Sequence, residues 1–299
     1  MAVKNQAASA LARLKNQAKT EGINYQVCLQ LFFQEEFLRR LSHSKYKDNL
    51  VLKGGMFIYT LTAFDSRPTR DMDFLMRSLS NDLEHIKTVM SEICVVQTEN
   101  SYIRLEVIST EQITLEKKYP GVKTKFMGRI NNIRVPFSVD VGIDDIIVPE
   151  ALVRRLSTRL EGFEPPEIYT YSLESTISEK FDAILQRMET TSRMKDFFDI
   201  YYLSSVFDFS GRTLKEAVLL TARHRGRILE SDAFMRIGEF AENPFMKTQW
   251  IRFEPAKEAG LEFPEVLHRL DQFLHPIYDA ILKGEEFDRQ WSCSQKAWE

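Results

Sequence analysis

The stretch Leu50-Val51-Leu52-Lys53-Gly54-Gly55, followed by an apolar run and then by Arg67-Pro68-Thr69-Arg70-Asp71-Met72-Asp73-Phe74-Leu75, decides how the 299-residue chain is read. Leu50 to Lys53 has the length and apolar content of a short buried strand. Gly54-Gly55 reads as a turn, Met56 to Phe64 as a helix that Asp65 to Pro68 terminates, and Asp71 to Leu75 as a second strand. Paired glycines let a phosphate approach the backbone at a helix N-terminus, and carboxylates at i and i+2 on a strand point to the same side. The apolar neighbours Met72, Phe74 and Leu75 would bury Asp71 and Asp73. A buried carboxylate without a partner costs several kcal/mol, so the pair wants a cation.

Mg²⁺ is the natural candidate, with Mn²⁺ as the alternative, because it takes oxygen ligands and is ordinarily shared between one or two carboxylates and substrate phosphates. Asp140, in Val139-Asp140-Val141-Gly142 at the end of a later strand, can supply a third carboxylate. Three carboxylates permit two metals, one clamping a triphosphate and the other activating an attacking hydroxyl. Taken alone, an Asp-x-Asp pair is common on solvated strands, and Asp140 beside Asp144 and Asp145 reads equally as a turn residue.

Working outward, residues 2 to 20 form an amphipathic helical pattern ended by Gly22. Tyr25 to Leu41, with Asn24 as N-cap, is a dense apolar helix suited to packing on a sheet. Asn81 to Val95 is helical by period, Tyr102 to Ile108 alternates as a strand, and Gln112 to Lys117 alternates less cleanly. Tyr119-Pro120-Gly121 marks a turn before a strand from Val122 to Ile130; Asn131-Asn132 then turns the chain into Ile133 to Gly142. The composition shifts at Glu161 to Tyr171, where Gly162, Pro165 and Pro166 interrupt every period. Helical patterns follow at Leu173 to Glu189, Arg193 to Phe207, Leu214 to Leu229, Asp232 to Ala241, Met246 to Phe253 and Phe263 to Leu282, and the last ten residues read as frayed. The expected class is α+β. A mixed-sheet domain flanked by helices spans 1–162, and a helical domain spans 163–299.

Composition narrows the function classes. The chain is 43% hydrophobic, enough for sizeable cores, and carries no run of apolar residues long enough for a membrane helix and no secretion-signal h-region. A cytoplasmic protein is expected. Three scattered cysteines, Cys28, Cys94 and Cys293, fit neither metal spacing nor a complete disulfide framework. A net charge of −3 excludes a uniformly basic nucleic-acid binder but leaves room for a local positive face. Candidates for that face are Arg154-Arg155, Arg159, the cluster Arg223 to Arg227, and Lys247 through Trp250 to Arg252, each of which reads equally as an ordinary solvated surface. His268 and His275 have no acidic or cysteine partner in metal spacing and read as structural.

In the second domain, Glu179, Lys180, Ala183 and Arg187 recur at helical spacing, and Asp196 and Asp199 share a face of the following helix. These charges read either as a salt-bridge lattice or as a phosphate-binding set.

The order of Gly-Gly, Asp-x-Asp and a later carboxylate resembles the DNA polymerase β-like nucleotidyltransferase superfamily. The fuller pattern resembles its branch of AbiEii-type abortive-infection toxins. It comprises Leu52-Lys53-Gly54-Gly55, Arg67-x-Thr69-x-Asp71-x-Asp73-Phe74, Tyr119-Pro120-Gly121-Val122, Val139-Asp140-Val141-Gly142, Glu179-Lys180-x-x-Ala183-x-x-x-Arg187 and Arg193-x-Lys195-Asp196-x-x-Asp199-Ile200-Tyr201. The resemblance spans roughly residues 50 to 205, with a longer gap between Gly55 and Asp71 than the superfamily usually shows.

What the resemblance implies is a Mg²⁺-dependent transfer of a nucleoside monophosphate from an NTP to an acceptor hydroxyl. Asp71, Asp73 and Asp140 would be catalytic and metal-binding. Lys53, Gly54, Gly55, Arg67, Thr69, Lys180 and Asp196 would bind nucleotide, although Thr69 serves equally as a turn hydroxyl. It also implies a toxin neutralised by a separately encoded antitoxin, with the 3′ end of tRNA as acceptor. A small-molecule acceptor, a protein side chain, or a non-catalytic nucleotide-binding module would use the same residues.

Overall fold

A computed structural model describes residues 2–113 and 121–299. The turn expected at Tyr119-Pro120 and the second half of the weakly alternating Gln112 to Lys117 segment lie outside the described residues. The chain divides into two compact units, one comprising Met1–Asp144 and Leu152–Tyr171, the other Asp145–Ala151 and Ser172–Glu299.

The first unit is built on a seven-stranded mixed sheet. Its elements in chain order are α1 (Ala2–Thr20), α2 (Tyr25–Ser42), β1 (Leu50–Lys53), α3 (Gly54–Leu61), β2 (Asp73–Met76), α4 (Leu83–Cys94), β3 (Arg104–Gln112), β4 (Val122–Ile130), β5 (Ile133–Gly142), β6 (Leu152–Arg155) and β7 (Glu167–Thr170). The spatial order is β3-β4-β5-β2-β1-β7-β6. Strand β2 runs antiparallel to β1 and parallel to β5, and β5 forms a hairpin with β4 in which Ile130 faces Ile133. Asn131 closes that hairpin with a φ of 50°, a conformation that asparagine tolerates better than most residues.

Helix α2 explains why one face of the sheet is closed. Asn24 caps it by accepting from the Gln26 amide at 2.7 Å, and its apolar side packs Phe33 and Phe37 against the sheet. Phe37, Phe74, Phe126 and Phe137 form a chain of ring contacts there, and all four are buried. Burying each such ring contributes about 1.5–3 kcal/mol. The fit is tight at Gly128, where an added Cβ would lie 2.4 Å from the Phe33 ring. The same helix buries charge as well as rings. Glu36 accepts from Arg39, Arg40, Thr98 and Asn100, so the ions are paired and hydrogen-bonded as burial demands.

The second unit is helical: α5 (Leu173–Arg187), α6 (Met194–Val206), α7 (Gly211–His224), α8 (Ala233–Glu239), α9 (Pro244–Ile251), α10 (Glu254–Glu258) and α11 (Phe263–Lys283). It also holds a small sheet of β8 (Phe209–Ser210), β9 (Gln290–Ser292) and β10 (Ala297–Trp298), in the order β10-β9-β8. The architecture is therefore the α+β arrangement expected, a helix-flanked mixed sheet followed by a helical region.

Several local expectations need correction. Gly54 and Gly55 are the first turn of α3 and not a free turn, and α3 stops at Leu61, where Ala63 and Phe64 take φ of 50° and 71°. Strand β2 begins at Asp73, so Asp71 precedes the strand, and it is exposed where the sequence pattern had it buried. The last ten residues are not frayed: the β9–β10 hairpin buries Trp291, whose ring lies 4.8 Å from that of Phe273 and whose indole N–H donates to the Ser204 carbonyl at 2.7 Å.

Candidate active site

Register places the first unit's key side chains in one row. Lys53 on β1 is opposite Asp73 on β2, Asp73 is opposite Asp140 on β5, and Asp140 is opposite Lys123 on β4. Directly opposed residues on neighbouring strands project to one face, so two carboxylates stand side by side between two lysines. The pairing is locked by the Asp140 amide, which donates to the Met72 carbonyl at 2.8 Å. Asp71 lies two residues ahead of Asp73, where its amide donates to the Thr69 hydroxyl at 3.3 Å.

Helix α3 brings its N-terminus to the same place. Gly54 has φ of 70°, and a Cβ there would sit 2.5 Å from the Asp73 Oδ2 atom. A Cβ on Gly55 would meet the Thr69 hydroxyl at 3.0 Å and the Arg67 guanidinium at 3.4 Å. Gly54 is thus required by close approach and by its φ, Gly55 sits where a side chain would be tight, and Arg67 and Thr69 are packed against the helix start. Lys53 is the N-cap residue but its side chain makes no capping bond; its ammonium lies 5.1 Å from the centre of the Tyr171 ring. The opening amides of α3 point their positive end where an anion is favoured.

Lys123 is the residue that sequence reasoning missed. Its ammonium stands 2.9 Å from each Asp140 carboxylate oxygen. Only the contact with Oδ2 has hydrogen-bond geometry, so Oδ1 is buried without a hydrogen-bond donor. Partial burial pulls the Lys123 pKa down, but the hydrogen bond and charge of Asp140, reinforced by the charges of Asp71 and Asp73, outweigh it and leave the ammonium stabilised. The signal in the sequence was the alternation of Lys123 and Lys125 on a strand pairing with the Asp140 strand, legible only once the hairpin register is fixed.

The carboxylate row fits a divalent cation taken up with a nucleotide better than one gripped by protein alone. Among the described residues no group of three or more His, Cys, Asp or Glu side chains converges closely enough to hold a metal ion. Mg²⁺ ordinarily needs only one or two carboxylates when phosphates and water complete its shell, and Asp140 Oδ1, ion-paired with Lys123 but accepting no hydrogen bond, is an oxygen of the required kind.

In the second unit, Lys180 and Asp196 come together. The Lys180 ammonium lies 2.5 Å from Asp199 Oδ2 and 3.4 Å from Asp196 Oδ1, and the Arg193 guanidinium lies 2.6 Å from Asp196 Oδ2. All but Arg193 are buried. Most residues considered for a positive face prove to be engaged structurally. Arg159 is buried and bonds Tyr59 and Glu21, Arg225 and Arg227 pair with Asp182, and the Trp250 indole is buried and donates to the Leu261 carbonyl. His275 pairs with Asp271 and stacks on Phe234, as a structural histidine does. Among the described residues, no helix is long and apolar enough to cross a membrane.

Comparison with known proteins gives the family and the fold. The family described as "Nucleotidyl transferase AbiEii toxin, Type IV TA system" matches residues 36–276. Among solved structures, MenT4, a nucleotidyltransferase toxin from Mycobacterium tuberculosis H37Rv, superposes with a TM-score of 0.54 at 17% identity, covering 75% of this chain and 76% of that one. A putative nucleotidyltransferase from H. pylori superposes with a TM-score of 0.51 at 14% identity, covering 89% and 100%. JHP933 from Helicobacter pylori gives 0.50 at 14%, covering 87% and 95%. These likenesses concern the fold. No curated protein sequence matches the chain significantly.

Proposed function

The chain belongs to the AbiEii nucleotidyltransferase toxin family of type IV toxin–antitoxin systems, and from that premise we propose that it transfers a nucleoside monophosphate from an NTP to the 3′ end of tRNA. The observation that carries the assignment of the site is the register match of Asp73 with Asp140, beside a helix whose first residue has no room for a Cβ against Asp73.

In this reading the amides of Gly54 and Gly55 receive the triphosphate at the start of α3, and Lys53 and Arg67 balance its charge. Asp71, Asp73 and Asp140 would hold Mg²⁺, which when bound neutralises phosphate charge and lowers the pKa of a hydroxyl. The acceptor oxygen forms its bond to the α-phosphorus as the bond to the leaving pyrophosphate breaks, and the hydroxyl proton passes to a carboxylate of the row or to water. Thr69 positions Asp71 through its amide. Lys180 and Asp196 belong to the same reading as nucleotide-binding residues, supported by the family motif they occupy. Blocking the tRNA 3′ end stops aminoacylation, which accounts for toxicity and for the need of a separately encoded antitoxin.

The test is incubation with Mg²⁺, total tRNA and each α-labelled NTP in turn, with Asp71→Ala as control. Label on tRNA that depends on Asp71 is the expected result and names the nucleotide. Label appearing equally with the variant, or no label with any NTP although the protein binds NTP, would overturn the reading.

A further inference from the structure

The face of the sheet that carries Lys123 and Asp140 continues outward along β3, β4 and β5, past the point where β2 stops pairing with β5. There Arg104, Arg129 and Arg134 are direct cross-strand partners, Arg104 opposite Arg129 and Arg129 opposite Arg134. Like charges placed directly opposite one another destabilise a sheet. Glu106 meets Arg129 at 3.0 Å, so one carboxylate serves a row of three guanidinium groups. Arg104 and Arg134 are exposed in the full chain. Between this row and the carboxylates, Lys125 and Lys123 occupy alternate positions of β4 and so project to the same face, Lys125 paired with Glu111 of β3 at 2.9 Å and Lys123 with Asp140. The opposite face is filled by Phe126, Phe137 and α2.

We infer that this open face is the track along which the phosphate backbone of an RNA acceptor lies while its 3′ end reaches Asp73 and Asp140. Its lysines are paired with Glu111 and Asp140, so the excess positive charge that suits a polyanion lies in the arginine row. Its direction suits an acceptor, because Arg134 and Asp140 are six residues apart on one strand, a span of about 20 Å. A stacked strand rises about 3.4 Å per nucleotide, so the arginine row falls about six nucleotides back from the reacting end. The inference rests on the proposed transfer reaction for its direction, but the surface can be tested without turnover.

The experiment measures binding of total tRNA by the full chain and by an Arg104→Ser/Arg134→Ser double variant at rising salt, and then transfer to tRNA and to a trinucleotide carrying a free 3′ hydroxyl. Both positions are exposed, and Arg104→Lys/Arg134→Lys keeps the charge as a folding and rescue control. The expected result is tRNA affinity reduced at least tenfold, a salt slope shallower by about 2, recovery in the lysine variant, and unchanged transfer to the trinucleotide. Unchanged tRNA affinity would overturn the inference. So would an equal loss with both acceptors. Absence of transfer by the unaltered chain, with the binding difference intact, would count against the reaction and leave the track standing.

Discussion

At Asp140 the two carboxylate oxygens stand in different surroundings, one hydrogen-bonded to Lys123 and the other buried without a donor. Lys123 therefore acts as a resident counter-charge for a cluster that would otherwise hold three carboxylates at one edge of the helix start. Replacing it by methionine should weaken the nucleotide-free fold by roughly 1 kcal/mol, the scale of a partly exposed pair. It should also tighten Mn²⁺ binding in the absence of NTP by about tenfold, since one positive charge close to the ion is gone. Thermal melts and a Mn²⁺ titration followed by electron paramagnetic resonance read both effects. Mn²⁺ affinity that is unchanged or weaker would refute the counter-charge role. Asp71, Asp73 and Asp140 could be singled out from the sequence as candidates by their order and spacing, although burial was the wrong ground for Asp71, which is exposed. Lys123 could not, since its position depends on which residue of β4 faces Asp140.

The helix start is the element on which the site depends. Gly54→Ala would force a Cβ to within 2.5 Å of Asp73 at a φ of 70°, so Asp73 must move. A displacement of about 1 Å in a catalytic group costs roughly a hundredfold in rate, and a loss of that order in transfer is expected with the protein still folded. Gly260 also has positive φ, 61°, but open space around it. Gly260→Ala should therefore cost about 1 kcal/mol of stability and leave transfer untouched. Comparing the two variants separates crowding at the site from backbone strain. Most helices and the β4–β5 hairpin followed from period and turn chemistry, because their faces are amphipathic and Asn131-Asn132 marks the reversal. Strands β6 and β7 did not, since four-residue strands on either side of a proline-rich stretch carry too little alternation to register.

At the scale of the whole molecule, the C-terminal hairpin is packed into the second unit as firmly as its helices. Trp291 closes the second unit by filling a space beside Phe273 and bonding the Ser204 carbonyl, and Trp298 stacks on Phe273 at 5.7 Å. Trp291→Ala should destabilise that unit by about 3–5 kcal/mol, read by urea unfolding. Polar composition near the C-terminus hid this, because the packing partners lie on α6 and α11, far away in sequence. The family membership fixes the class of reaction, and the register of β2 with β5 supports assigning it to Asp73 and Asp140.

The most direct measurement of that claim is transfer from an α-labelled NTP by Asp140→Asn, with NTP binding measured on the same protein. Asparagine keeps the shape and the β5 register while removing the charge. The account predicts that transfer falls by at least about a thousandfold while NTP affinity stays within about tenfold, as for loss of an interaction made mainly in the transition state. Transfer by Asp140→Asn at the rate of the unaltered protein would contradict it.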